Sequence, residues 1–312
     1  YDSNVFRLSD LERNQDYGQD IYIINSDAFD APYINSRLGI KYAPEFSKKN
    51  KTEFNFSFSS NSYITIPDKS FLVINSGFGI KLAPYRWIKI SHRYLPKYYL
   101  RNFRDKDYSL YDYYQTEFSS EGFMISFSNR IKKKSWFRVK YSRTNLYYGS
   151  NFTEFDIVKD SFESKLYCKI FGFDSNFSYM MSIGNNPSYD QGYNSTIYDR
   201  SYTEHIYGVY IKKRIKKSSY INAIGVSSTI KNRIFLDGDE VDVFDPLHNS
   251  RQDMEYNFAI WVGNKINKKL SHEFRLKYRS KNVFSPYTIN YYNGIGDIQE
   301  ILVSNLREYS KF

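Results

Sequence analysis

Gly122-Phe123-Met124-Ile125-Ser126-Phe127-Ser128-Asn129-Arg130 runs into Ile131-Lys132-Lys133-Lys134-Ser135, and Trp136-Phe137-Arg138-Val139-Lys140-Tyr141 leads away from it. Large apolar residues fall at every second position: Phe123, Ile125 and Phe127 before the lysines, then Phe137, Val139 and Tyr141 after them. Side chains alternate across a strand, so one face collects these residues and the other collects Ser126, Ser128, Arg138 and Lys140. The stretch therefore reads as a β-hairpin with a short lysine turn. The same pattern recurs at Tyr207 to Ile224 through Arg214-Ile215-Lys216-Lys217, and at Tyr256 to Tyr278 through Asn267-Lys268-Lys269.

Working outward, strands are expected at 4–8, 35–46, 52–64, 71–82, 87–101, 117–130, 136–148, 164–171, 177–185, 203–213, 219–230, 255–266, 271–284 and 298–312. Proline falls in the turn Ala83-Pro84-Tyr85-Arg86, where it leaves the ladder intact, and Pro96 is expected at a strand end or rim. Short turns alternate with longer polar segments at 9–33, 104–115, 150–161, 186–201, 235–253 and 285–297. Loops of that length are uncommon in compact soluble domains. Alternating apolar-out and polar-in strands with short turns on one side and long loops on the other are the pattern of a transmembrane β-barrel. The fold expected is thus all-β, a single antiparallel up-and-down barrel of about fourteen strands spanning 1–312 in a bacterial outer membrane. An even count places both termini on the short-turn side.

Composition agrees with that class. The chain has 312 residues, 19% of them aromatic, including 32 tyrosines, whose rings and hydroxyls suit a membrane–water boundary. Mean hydropathy is −0.62, and no segment approaches the roughly twenty apolar residues of a spanning helix. A barrel escapes such a test because only alternate residues face lipid. The single cysteine, Cys168, excludes an internal disulfide and alternates with Leu166 and Ile170 as a small apolar residue. The chain opens at Tyr1 without Met or a leader, as expected after signal-peptide removal or behind a preceding domain.

Energy decides which face meets lipid. On the strand from Ser271, Phe274, Leu276 and Tyr278 form one row, and Glu273, Arg275, Lys277, Arg279 and Lys281 the other. A basic residue facing lipid near the midplane costs about 2–4 kcal/mol, so reversing this strand is worse by roughly 6–12 kcal/mol. The same reasoning turns Arg37, Lys41, Lys89, Arg93, Arg138, Lys140, Lys165 and Lys169 inward. The acidic residues opposing them are Glu45, Glu53, Glu204, Glu255 and Glu273, and a lumen so lined favours anions. Net charge is +10, but the lysines are spread over turns and strand rows rather than gathered into a nucleic-acid groove.

Chemical signatures are sparse. His92, His205, His248 and His272 have no metal-ligand spacing, and neither a phosphate loop nor a nucleophile elbow is present, so no cofactor and no enzymatic activity are expected. The acidic run Asp237, Asp239, Glu240, Asp242 and Asp245 offers oxygen ligands for calcium. It lacks the spacing of a calcium loop and reads equally as a solvated turn with an Asp-Gly tip.

Tyr1-Asp2-Ser3-Asn4-Val5-Phe6-Arg7 resembles the first-strand signature of outer-membrane porin-like barrel families, including barrels that follow periplasmic helical repeats. The terminal Phe312 resembles the aromatic read by the outer-membrane insertion machinery. Leu306 fits that signal, while Glu308 and Ser310 depart from it. The resemblance implies class only. The function expected is a passive or export channel for anionic solutes or polymers, with outer-membrane lipid as its other partner. Two further classes stay open, a plugged surface scaffold or adhesin whose long loops bind a partner and a soluble β-sandwich array; an outer-membrane enzyme would need a catalytic trio that the sequence does not offer.

Overall fold

The computed structural model describes residues 31–44, 51–104, 113–189, 199–215, 221–235, 251–265, 271–285, 288–292, 298–302 and 309–311. Twelve long strands follow one another: β1 (Tyr33–Tyr42), β2 (Lys51–Tyr63), β3 (Phe71–Ala83), β4 (Arg86–Arg104), β5 (Tyr113–Lys132), β6 (Ser135–Tyr148), β7 (Ile157–Ile170), β8 (Phe173–Asn185), β9 (Tyr202–Arg214), β10 (Ala223–Phe235), β11 (Gln252–Lys265) and β12 (Ser271–Phe284). Each pairs antiparallel with its sequence neighbour, and β15 (Tyr309–Lys311) adds to β12, giving one 13-stranded meander. β13 (Thr288–Tyr292) and β14 (Ile298–Leu302) form a separate two-stranded sheet. Among the described residues no pairing joins β1 to β15, so the sheet is not closed.

The alternation that marks the hairpins is kept across the whole sheet, because paired residues in an antiparallel ladder share a face. One register line runs from Glu53 through Gly79, Lys89, Ser126, Lys140 and Glu163, and continues through Met180, Ile206, Lys231, Glu255 and Lys281. This is the charged face. The apolar face carries Leu38, Ile40, Phe56, Ile90, Ile125, Phe162, Phe177, Val209, Ile260, Phe274 and Leu276, all exposed, with Phe274 at 72% and Leu38 at 69%. Its charges sit toward the strand ends, as Lys97–Glu117, His92–Glu121 and the Arg143–Asp160 register pair at one end, and Arg86 and Lys213 at the other.

Burial is inverted relative to a water-soluble sheet. The buried apolar residues of the strands, among them Val73, Ile157, Tyr202, Phe235, Ala259, Trp261 and Val283, belong to the charged face. The glycines there make room for large neighbours: a Cβ at Gly225 would run into the Trp261 indole, and one at Gly184 into the Tyr202 ring.

Connections differ at the two ends. Pro84–Tyr85, Lys133–Lys134 and Phe171–Gly172 close β3–β4, β5–β6 and β7–β8 as two-residue turns. Phe171 (φ 46°) and Gly172 (φ 83°) both take the left-handed conformation that fits the twist of a tight hairpin. At the opposite end the segments between strands span 64–70, 105–112, 149–156, 186–201 and 236–251. Two hold short 3-10 turns, Pro67–Lys69 and Ser150–Phe155.

Several expectations need correction. The segment 150–161, expected to be loop, contains the second 3-10 turn and the start of β7. Strands β7, β8, β10 and β11 are displaced or extended at their polar ends, where apolar alternation fades. Pro96 lies within β4, at a register shift between Leu95 and Tyr98. A bulge tolerates its missing N–H. The closing strand 298–312 is divided into β14 and β15, and the expected loop 285–297 holds β13. Strand 4–8, the Tyr1–Arg7 signature, Glu45, His248, Phe312 and the acidic run from Asp237 to Asp245 lie outside the described residues.

The β7–β8 turn gives a direct test. Gly172→Val places a branched side chain at positive φ and should destabilise the protein by about 1–2 kcal/mol in urea unfolding of detergent-refolded material. Gly149→Ala, at φ −60° with open space around it, should change little.

Candidate functional site

The charged face is the candidate site, and its chemistry follows from strand register. Glu53 on β2 stands beside Gly79, and the glycine leaves room for Lys89 of β4 to reach Glu53 at 2.7 Å, while Lys41 of β1 approaches from the other side at 2.8 Å. Glu163 on β7 receives Lys165 at 2.9 Å and Lys140 of β6, with Arg138 at 3.7 Å. Glu204 on β9 is the most enclosed, its side chain 2% exposed. Lys159 lies 2.6 Å away, Arg233 2.9 Å and Lys231 3.9 Å. Arg233 also lies over the Tyr202 ring, 4.0 Å from its centroid.

The network extends to the last strands. Lys231 reaches Glu255 at 2.9 Å, and Arg279 reaches the same carboxylate at 3.3 Å while donating to Asn257 Oδ1. Asp253 is held by Arg251 at 2.7 Å and Lys281 at 2.9 Å. Arg275 meets Glu273 at 2.6 Å, with both groups exposed, and Lys169 meets Asp174 at 3.6 Å.

All the basic residues singled out from the sequence, Arg37, Lys41, Lys89, Arg93, Arg138, Lys140, Lys165, Lys169, Arg275, Lys277 and Arg279, share this face by register. Among the described residues Arg37, Arg93 and Lys277 have no carboxylate partner, whereas the others do. The sequence reading missed Glu163, Asp174 and Asp253. Each falls just before a strand start that had been placed too late, although its parity with Lys165, Asn176 and Glu255 gave the signal.

At the long-connection end the same face becomes aromatic. Phe71, Tyr98, Phe118, Tyr148 and Phe155 form a chain of ring contacts at 5.1–5.6 Å. Lys69, 3% exposed, lies over Tyr98 and Tyr99 and donates to the carbonyls of Tyr99 and Leu100. Phe152 of the second 3-10 turn is buried, and Arg200 covers Phe155 while donating to the Glu154 carbonyl. Beside this layer, burial pushes the Asp156 carboxyl above its ordinary value, although it accepts a hydrogen bond from the Tyr148 N–H.

Of the histidines, the described His92, His205 and His272 lie on the apolar face: His92 pairs with Glu121, and His205 Nδ1 is 2.9 Å from the Tyr179 hydroxyl. Among the described residues no group of His, Cys, Asp and Glu is arranged to hold a metal ion. No family model matches the chain, and no curated protein or solved structure is significantly similar to it.

Glu204 and Glu273 form a matched pair for measuring the network. Removing one partner of an enclosed ion cluster strands the others, so Glu204→Gln should cost about 3–5 kcal/mol of unfolding free energy. Glu273→Gln, which breaks an exposed pair, should cost about 0–1 kcal/mol.

Proposed function

We propose that the sheet closes into an outer-membrane β-barrel, non-enzymatic, with lipid against the apolar face and the charged face lining a bore that conducts anionic solutes or polymers. The inverted burial carries this reading. In water, an exposed band holding Phe56, Ile90, Phe162, Val209 and Phe274 would be an unstable apolar patch, and no second layer covers it among the described residues. In hydrocarbon the same band is satisfied, as are the backbone groups of a closed ladder. The dimensions agree: thirteen residues of β8 extend about 43 Å, or about 33 Å along the normal at a tilt of about 40°. Tyr42 and Tyr147, exposed on the apolar face at strand ends, suit the boundary.

Anion preference rests on the balance of the charged face. Its carboxylates in the described strands are each approached by one or more cations, and Arg37, Arg93 and Lys277 remain over. Such a lining attracts anions into a narrow bore. The aromatic layer around Phe118 and Tyr148 favours a second reading, in which that end is capped and the barrel serves as a non-conducting scaffold for a surface partner.

Two measurements test the proposal. Leu276→Arg should impair insertion into bilayers by about 2–4 kcal/mol, while Arg275→Ser on the adjacent row should insert normally. Equal damage from both would reject the assignment of lipid to the apolar face. In planar bilayers under a salt gradient the protein should give a reversal potential of anionic sign, reduced in the Arg37→Ser, Arg93→Ser, Lys277→Ser triple variant. Cation preference would overturn the anion path, and a properly inserted protein with no conductance would establish the capped scaffold instead.

A further inference from the structure

At the short-turn end the charged face borders a half-open cavity of about 500 Å³. Its floor follows one register line across four strands, Trp136, Tyr167, Asn176 and Tyr210. The next line toward the turns is Lys169, Asp174 and Lys212, and Arg214 with the turn residues Lys132, Lys133 and Lys134 completes the rim. Among the described residues Asp174 is the sole carboxylate in the lining, and it is shared between Lys169 and Arg214 at 3.6 Å each. Lys212 leans over the Trp261 ring, and among the described residues Lys132, Lys133 and Lys134 enter no ion pair.

We infer that this cavity is a binding site for a small multivalent anion bearing two or more phosphate or carboxylate groups. The charge imbalance is local: elsewhere on the face Glu53, Glu163 and Glu204 sit directly among their cations, whereas here Lys132, Lys133, Lys134, Lys169, Lys212 and Arg214 line one opening with one loosely held carboxylate. The floor is rigid. Trp136 and Tyr167 stack with centroids 4.3 Å apart and planes 1° apart, and Tyr85 packs on Trp136 at 5.0 Å. Arg130 donates to the Lys132 and Lys133 carbonyls and so fixes the lysine turn, and less conformational freedom is lost when an anion binds. The tyrosine hydroxyls and Asn176 offer further hydrogen bonds to anionic oxygens. A monovalent anion gains from one or two of these cations, and a multivalent one bridges several. The site discriminates by charge number rather than by shape.

This inference concerns binding, and it deepens the anion-path reading without depending on conductance. Calorimetric titration of the full chain in neutral detergent with tripolyphosphate and with citrate should give saturable binding that weakens with added salt, with acetate at least about tenfold weaker. Tighter binding of tripolyphosphate would mark a phosphate ligand, and tighter binding of citrate a carboxylate one. Lys169→Ser with Lys212→Ser should weaken the better ligand at least about tenfold. Lys169→Arg with Lys212→Arg should retain it, and Lys97→Ser, on the apolar face at the long-connection end, should leave it unchanged. Heat-modifiable gel mobility confirms that each variant is folded. Binding without conductance would reject the channel and leave this site standing. Anion-selective conductance without saturable binding, or binding indifferent to Lys169 and Lys212, would overturn the site.

Discussion

Strand register is the constraint on which the rest of this structure depends. Because side chains alternate, sliding any one strand by a single residue exchanges its faces. On β12 that slip would carry Arg275, Lys277 and Arg279 to the apolar side and bring Phe274 and Leu276 among the ions. It would also separate Lys281 from Asp253 and Arg279 from Glu255, so one error breaks both the band and the network. The two faces thus reinforce each other. An apolar row alone specifies parity, and the cross-strand carboxylates add position along the strand.

Those carboxylates are placed where several strands need a common partner. Glu204 gathers cations from β7 and β10, and Glu163 gathers them from β6 and its own strand. Where a cation must cross an intervening strand, small residues make the approach possible: Lys159 reaches Glu204 over Ser182 and Gly184, and Lys89 reaches Glu53 past Gly79. Enclosed charges of this kind add little net stability, but they penalise any arrangement that leaves one of them alone. The proposed bore would inherit an electrostatic profile along its length: neutralised at mid-strand, cationic at the short-turn end and aromatic at the other.

That profile also frames the two functional readings. Anions would meet the lysines around Trp136 and Tyr167 at one end, and the ring layer of Tyr98, Phe118 and Phe155 at the other. A wide gap between the aromatic layer and the opposite wall permits flow, and a closed one leaves a scaffold with an anion pocket. Lys69 and Arg200, lying over these rings and bonded to backbone carbonyls, tie the layer to the strands beneath it.

The sequence by itself determined that the chain is built of antiparallel strands and which side chains share a face, since period-two alternation is a local property of consecutive residues. It therefore placed Arg138 with Lys140 and Phe274 with Leu276 without any knowledge of neighbouring strands. It did not locate the polar strand ends, because Ser161 or Asp174 offers no apolar alternation from which to count, and so Glu163, Asp174 and Asp253 were passed over. Nor did it foresee the division of 298–312 into two pieces. Only the tertiary structure decided which cations each carboxylate holds, and that Trp136, Tyr167, Asn176 and Tyr210 line one cavity. Those relations depend on the offset between strands, which hydrogen bonding along the ladder sets and no single strand contains.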